Sequence, residues 1–591
     1  QIARLGSGAA RTAVVLVPNR ALGEELAAAL RDEGVERVLL LERAGRGVDR
    51  DARVVIADAG GFHDPLLVQH EHWHHIWRNV SLVAVAHAEE FTGVLGSHAA
   101  WFMRRAARVV HLAKSAGAAL GVGSGPGAGA EVAGPVRIVV GFGLANARDH
   151  AESLLGSAVD IVGGQDYVAL PRVLVDAAAA EGACRDTIRG ALVEEERWRG
   201  VRVHSLGREL SPRSPGIWLV ERPGPIEWFR STRGKVARRH AAHDHEADTV
   251  RIDQLLAASA EAPLAPGDDR WFGAGAWSLL EALDQRLVLG EEAEDGSVES
   301  AWRYRGWEPP GALVQPEALE RAPFRVVTSG RVYEVVGALC HGEVAFAAHP
   351  GAILEVGGEH FRVRDVDLDE REIWVSRQKK AAIESGRGTV PRHRRHHEIT
   401  EVMRTRAPLG DGSLPVLGRV EVIDTVTGYS LSRTAGRKAE ACGLDPPFVT
   451  TYLTTCAWID LVPARSTEIE AAGGDRTEVL NFVADLLGRF LILRIGTEHF
   501  GEVVVAAYRS HAALDGGGIF VHEAMPCGAG AAGAFLDLLP ELLESAARTL
   551  RSGTALPPRV LGRLSGGDER GDSAIARSSL ALLERLLARS R

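Results

Sequence analysis

The stretch 79–110, NVSLVAVAHAEEFTGVLGSHAAWFMRRAARVV, constrains the fold more than any other part of the chain. An apolar run at 82–86 has the length of a buried strand, a polar turn with Gly93 and Gly96 follows, and the rest patterns as a helix that Ser97 would cap. What stands at the end of that strand matters, because open parallel sheets bind their ligands at the carboxyl ends of strands. The same alternation recurs around it. Strands are expected over 13–17, 37–41, 53–57, 82–86, 137–141 and 159–162, a helix over 21–31, and helices between most of the strands. Such alternation implies an α/β fold with a parallel sheet and right-handed crossovers.

Composition narrows the class. The 591 residues, 46% hydrophobic and 25% charged, suffice for about three or four domains. No apolar run reaches the roughly 18 residues of a membrane span, and no secretory leader is expected. A net charge of -10 excludes a uniformly basic coat, so nucleic acid would be met through a local patch. Cys184, Cys340, Cys442, Cys456 and Cys527 lie far apart without a C-x-x-C pair, which excludes a thiolate zinc site by spacing and fits a reducing cytoplasm.

The stretch 79–110 resembles the DEAH-box segment of superfamily 2 DNA helicases, specifically the bacterial mitomycin-repair (MrfA) branch and its fungal RecQ-like relatives. There D-E-A-H runs on as T-Y-R-G-V-F-G-S-H into a helix with paired arginines. Phe91, Gly93, Val94, Gly96, Ser97, His98, Arg104 and Arg105 keep that frame, whereas the box positions read Ala86, His87, Ala88 and Glu89. Magnesium takes hard oxygen ligands, and alanine at the first box position supplies none. The resemblance puts His87 where the general base is expected.

Further blocks follow in family order. Residues 17–22, VPNRAL, resemble the Y-P-T-K-A-L motif that contacts the DNA backbone, which implies phosphate contact for Arg20. His63, Trp73, Arg78 and Asn79 match the end of T-N-P-D-M-L-H and the W-x-x-F-L-R-N-L that follows. Residues 141–156, GFGLANARDHAESLLG, resemble S-A-T-I-A-N-P-A-E-H-A-E-R-L-T-G, so the S-A-T motif falls on Gly141, Phe142 and Gly143 with both hydroxyls gone. The glycine-rich run 117–134 has no G-K-[ST] and reads as a flexible loop. Relatives carry the Walker A lysine just before the equivalent of Gln1, so the chain is expected to be a fragment.

Between 156 and 215 the resemblance lapses. A second RecA-like domain, of about 150 residues by ordinary domain size, has no room there, and no Q-x-x-G-R-A-G-R occurs. Helical patterns at 252–260 and 276–287, then Trp302, Arg303, Tyr304, Arg305, Gly306 and Trp307, imply a winged helix whose aromatics either stack on bases or, in the plainer reading, are buried in the wing. Residues 324–377 alternate like a small antiparallel barrel, in which 349–353, HPGAI, fixes a turn. Next comes a basic segment with Lys379, Lys380, Arg392, Arg394 and Arg395, read as a surface loop that either contacts phosphates or is simply solvated.

From 418 onward, GRVEVIDTVTGYSL, LDPPFVTTYLTTCAWIDL and GGIFVHEAMPCGAG resemble strands of the family's C-terminal MZB-type zinc-binding domain, with helices over 534–550 and 579–587. Where relatives have C-x-C-x-x-G-C-P-x-C, residues 551–567 contain no cysteine or histidine. Separately, His70, Glu71 and His74 match H-E-x-x-H, in which one helix face would bind zinc with glutamate as base. A histidine-rich, solvent-facing helix is the plainer reading. His240, His243 and His245 read as a surface loop.

The expected architecture is a RecA-like parallel sheet domain followed by a winged helix, a small β-barrel and a mixed α+β C-terminal domain. The units are 1–165, RecA-like, truncated and degenerate; 166–248, a remnant of the second RecA-like domain or a linker; 249–322, winged-helix-like; 323–405, barrel and basic loop; and 406–591, MZB-like without the four cysteines. The functional expectation is a pseudo-helicase related to DNA repair that binds DNA or a protein partner, such as a helicase or nuclease subunit. No catalytic residue, and none of the family's ATP, magnesium or zinc, is expected. The alternatives are one part of an active helicase whose Walker A lies upstream and whose second lobe is another subunit, and a zinc hydrolase built on His70 and His74.

Overall fold

The structure is a computed structural model that describes residues 12–41, 51–119, 134–141, 143–162, 173–176, 202–206, 216–220, 239–273, 275–281, 287–290, 301–320, 322–329, 333–378, 389–431, 440–462, 475–496, 500–551 and 569–588. Its first sheet contains β1 (Thr12–Leu16), β2 (Val38–Leu41), β3 (Val54–Ala57), β4 (Val80–Ala86) and β5 (Val136–Val140) in the order β2-β3-β1-β4-β5, every pair parallel. β1, β3 and β4 are near-continuous aliphatic runs because helices cover both faces of a parallel sheet. Helix α1 (Arg20–Asp32) follows β1, and the Asn19 side chain caps it by accepting from the Leu22 amide at 3.1 Å.

Two local expectations change. Residues 159–162 form no strand, since the Val159 amide donates to Glu152 and its carbonyl accepts from Arg148, finishing helix α4 (Ala147–Leu155) instead. Ser97 caps nothing: α3 (Gly93–Ala119) already starts at Gly93. The Ser97 hydroxyl donates back to the Gly93 carbonyl at 2.8 Å and accepts from the Asp244 amide. Helix α2 (His74–Asn79) precedes β4.

The segment between 166 and 239 carries a three-stranded parallel sheet, β6 (Val173–Asp176), β7 (Arg202–Leu206) and β8 (Gly216–Val220), in the order β6-β8-β7. Helices α5 (Asp248–Glu261) and α6 (Gly275–Glu281) and the hairpin β9 (Leu287–Gly290) with β10 (Ala301–Tyr304) follow. Then come β11 (Phe324–Ser329), β12 (Tyr333–Leu339), α7 (His341–Ala347), β13 (Ile353–Val356), β14 (Glu359–Asp367) and β15 (Glu372–Arg377). They make one mixed sheet in the order β12-β11-β15-β14-β13, in which β11 and β15 run parallel.

From Thr389 onward the basic segment is a strand where a loop was expected. β16 (Thr389–Thr405) pairs along its length with β17 (Leu414–Leu431), which pairs with β18 (Glu440–Asp460). β19 (Val503–Tyr508) and β20 (Gly518–Glu523) complete the order β16-β17-β18-β20-β19. Glycine, serine and histidine there pointed to a loop, but an alternating face burying His393, Arg395, His397 and Ile399 outweighs those propensities. Helices α8 (Arg476–Ile495), α9 (Ala531–Arg551) and α10 (Glu569–Leu587) cover one end of this sheet.

α3 locks the units together. Its first turn donates the Gly93 amide to the Ala242 carbonyl at 2.7 Å, and Val94 sits in the same apolar core as α8 and α9. Farther along, the fully buried Arg105 grips Glu261 through two nitrogens, and a third reaches Gln254 at 2.7 Å and His63 at 3.2 Å. Gln254 also meets His98 at 2.9 Å. Arg108 donates to the carbonyls of Ala258, Ala262 and Pro263 and to Asp268. A charge removed from water is tolerated only when nearly all its donors are satisfied; Arg105 meets that condition, whereas the buried Nε of Arg108 has no partner among the described residues.

Candidate functional site

β4 ends at Ala86, and the chain then turns through His87, whose φ of 64° lies in the left-handed region. Ala88–Glu90 form one 3-10 turn. This places the Glu89 carboxylate wholly inside the protein, 3.9 Å from His87 Nδ1, with only 15% of the His87 side chain exposed. Glu90 points the other way, 3.7 Å from Arg239.

Gly141, which the resemblance sets at the start of S-A-T, lies against this turn. A Cβ at Gly141 would come 3.0 Å from Ala88 Cβ and 3.2 Å from Glu89 Oε2, closer than side chains ordinarily pack. Gly143 has a φ of 62°, and Phe142 lies outside the described residues. Arg239, which sequence reasoning missed, binds this region through its backbone. Its amide donates to the Gly143 carbonyl, its carbonyl accepts from the Ala145 amide, and its side chain reaches the Ile495 carbonyl and Thr92. No motif marks it, because its partners come from three distant parts of the chain.

Residues singled out by the resemblance do packing work here. Asn146 pins residue 241 with both ends of its amide, at 2.7 and 3.0 Å. His150 Nε2 donates to the Ala88 carbonyl at 2.8 Å, holding the box turn from behind. Burial pulls the His150 pKa down to about 4, helped by the charge of Arg239, so the ring is neutral near pH 7. Gly156, at a φ of 64°, leaves room for the Arg104 guanidinium, which donates to the Ala100 and Ser153 carbonyls.

The cleft does not fit a magnesium ion. Ala86 has no ligand atom, His87 is a nitrogen donor, and the Glu89 side chain is fully buried beside His87. The zinc hydrolase geometry fails as well. Residues 69–73 are turns, the helix begins only at His74, and His74 Nδ1 lies 3.0 Å from the Glu71 carbonyl. His70 and His74 therefore share no helix face, and this stretch is not the solvent-facing helix expected either, since Trp73 is buried. Among the described residues no three His, Cys, Asp or Glu side chains are arranged to hold a metal.

His240, His243 and His245 do not form a surface loop. They pack between α4 and the C-terminal unit, where Ser153 Oγ meets His243 Nε2 at 2.8 Å and His245 Nδ1 at 3.2 Å, and the His243 backbone fills the space beside Gly530. Burial first, then the neighbouring His150 and His245, keep His243 far below the usual histidine range.

The candidate phosphate contacts separate by strand face. Arg20 opens α1, exposed and paired with Glu24 at 2.7 Å. Lys379 and Lys380 lie outside the described residues. On β16, Arg392 and Arg394 face outward, Arg392 donating to the Cys442 carbonyl at 3.1 Å. Arg395 faces inward and forks onto the fully buried Asp424 with two bonds of 2.7 Å, while His393 adds a third of 2.7 Å. Burial would raise the Asp424 pKa, but these hydrogen bonds hold it below the usual carboxylate value. Next to it, His397 contacts the Tyr508 hydroxyl at 2.6 Å and His522 at 3.2 Å, and burial brings its pKa to about 3.

Together the parallel sheet and the accessory units make a multidomain α/β fold with a RecA-like sheet. Solved structures agree. The DUF1998 helicase MrfA is 16% identical, with a TM-score of 0.61 over 98% of this chain and 91% of that one. MrfA bound to DNA gives 0.50 at 16% identity over 99% and 88%, and MrfA bound to DNA and AMPPNP gives 0.50 at 15% over 98% and 87%. No protein-family model and no curated protein matches the sequence.

Proposed function

We propose that this chain is a pseudo-helicase: a helicase-fold protein that binds nucleic acid, or a helicase or nuclease subunit, without hydrolysing ATP. The carrying observation is that a side chain on Gly141 would meet Ala88 and Glu89 at 3.0 and 3.2 Å, so the serine that the resemblance places there has little room. Phosphoryl transfer needs a metal and positioned charges around the transferring group, and Ala86, His87 and enclosed Glu89 offer no magnesium cradle. Arg20, Arg392 and Arg394 are the phosphate contacts of this reading, with Lys379 and Lys380 beside them in sequence. Arg395 is excluded because it belongs to Asp424.

A part in DNA repair and residence in the cytoplasm belong to the same proposal. They draw on the MrfA-like fold and on a chain whose described helices are too short or too polar to cross a membrane. The test is DNA binding at two salt concentrations, with and without ATP, alongside ATP turnover in one preparation. Salt-sensitive binding without turnover is the expected result. Turnover abolished by Glu89→Gln would overturn the proposal.

A further inference from the structure

The hairpin β9–β10 ends in a short platform that the cleft does not use. Trp302 and Tyr304 pack inward, Trp302 exchanging two backbone hydrogen bonds with Leu264 at 2.8 and 2.9 Å. Arg303 and Arg305 alternate outward, as strand geometry demands. Trp307 continues that series and is 91% exposed, the most exposed large apolar side chain among the described residues.

The tryptophan is held there rather than left on a slack loop. The Tyr304 hydroxyl donates to the Glu308 carbonyl at 2.9 Å, closing residues 304–308 into a tight turn. Gly306 lies over the Tyr304 ring so closely that any Cβ would collide with it. Pro309 and Pro310 restrict the next two residues, Gly311 abuts Asp64 with no space for a side chain, and Leu313 and Val314 are fully buried. Both ends of the turn are therefore anchored, and its middle presents an indole to solvent.

We infer that Trp307 is a base-stacking platform for single-stranded nucleic acid, with Arg303 and Arg305 contacting the phosphates alongside; this rests on the nucleic-acid reading above. A large aromatic face gains stability by covering its apolar area, and an unpaired base is a flat partner of matching size. Two outward arginines two residues apart stand about 7 Å from each other on an extended chain, near the step between successive phosphates of a single strand. The half-buried Glu308 follows rather than interrupts the Arg303–Arg305–Trp307 series, and Asp64 lies beside Gly311 farther along. A duplex keeps its bases stacked on each other and offers the indole only its ends, so the site prefers single strands.

The experiment uses the full chain with a fluorescein-labelled oligothymidylate and a blunt duplex of equal length, followed by anisotropy. Trp307→Ala should weaken single-strand binding by roughly ten-fold or more while Trp307→Phe retains most of it, since one stacked base is lost or kept. Duplex binding and melting temperature should stay unchanged in both variants. Single-strand binding untouched by Trp307→Ala but weakened by Arg392→Ala with Arg394→Ala would overturn the platform and leave the nucleic-acid reading standing. A parent chain that binds neither oligonucleotide would overturn both.

Discussion

Gly141 and Glu89 fit each other: the place a side chain would need on Gly141 lies 3.2 Å from the buried Glu89 carboxylate. In the family pattern a serine stands at the first position. Gly141→Ser should therefore crowd the turn and cost about 1–3 kcal/mol, read as a lower urea midpoint. It should gain no ATP turnover, even when combined with Ala86→Asp and His87→Glu. A serine variant as stable as the parent would show that the fit is accidental.

The Arg105–Glu261 pair is fully enclosed, so removing one partner strands the other charge. Glu261→Ala should destabilise the protein by about 3–5 kcal/mol. Replacing both, as Arg105→Met with Glu261→Leu, should recover part of that loss. A double-mutant cycle by chemical denaturation separates this pairing from simple packing loss.

Burial sets a pH dependence through His150, His98 and His397, whose pKa values fall to about 4, 3 and 3. Each is neutral when folded and binds a proton more readily when unfolded, so stability is full above the unfolded value near 6.5 and is lost as pH falls from there toward 4 and 3. For His150 the span of about 2.5 units corresponds to about 3 kcal/mol. Unfolding midpoints of the parent should drop between pH 7 and pH 5, and His150→Gln, already weaker at pH 7, should drop less. Parallel curves for the two would argue against a neutral His150.

On β16, neighbouring arginines should behave oppositely. Arg394→Ala and Arg392→Ala should weaken DNA binding and flatten its salt dependence with unchanged stability. Arg395→Ala should leave Asp424 buried and underpaired and cost about 3–5 kcal/mol. If Arg395→Ala instead folds normally and loses only DNA affinity, the inward fork is not what holds the sheet.

The parallel sheet was legible because β1, β3 and β4 carry unbroken aliphatic runs that suit only a covered sheet. Asn146, His150 and Gly156 were singled out by the resemblance, and the structure gives each a defined packing contact. What they bind was not legible, because their partners at 241, 88 and 104 are set by tertiary packing. The 159–162 run was misread because four apolar-rich residues can close a helix as readily as make a strand. β16 was misread because its inward histidines and arginine look polar until Asp424 and Tyr508 are seen to receive them.

That strand carries two messages interleaved one residue apart. Arg395 and His397 read inward, while Arg392, Arg394 and His396 read outward. A single residue inserted between His393 and Arg394 would swap the faces of the residues that follow, up to the next bulge, since strand faces alternate with every residue. The internal anchor would then face water, and the external contacts would be driven against Asp424. Insertions and deletions in β16 should therefore be far less tolerated than substitutions at its outward positions, so that the spacing of its arginines matters more than their number.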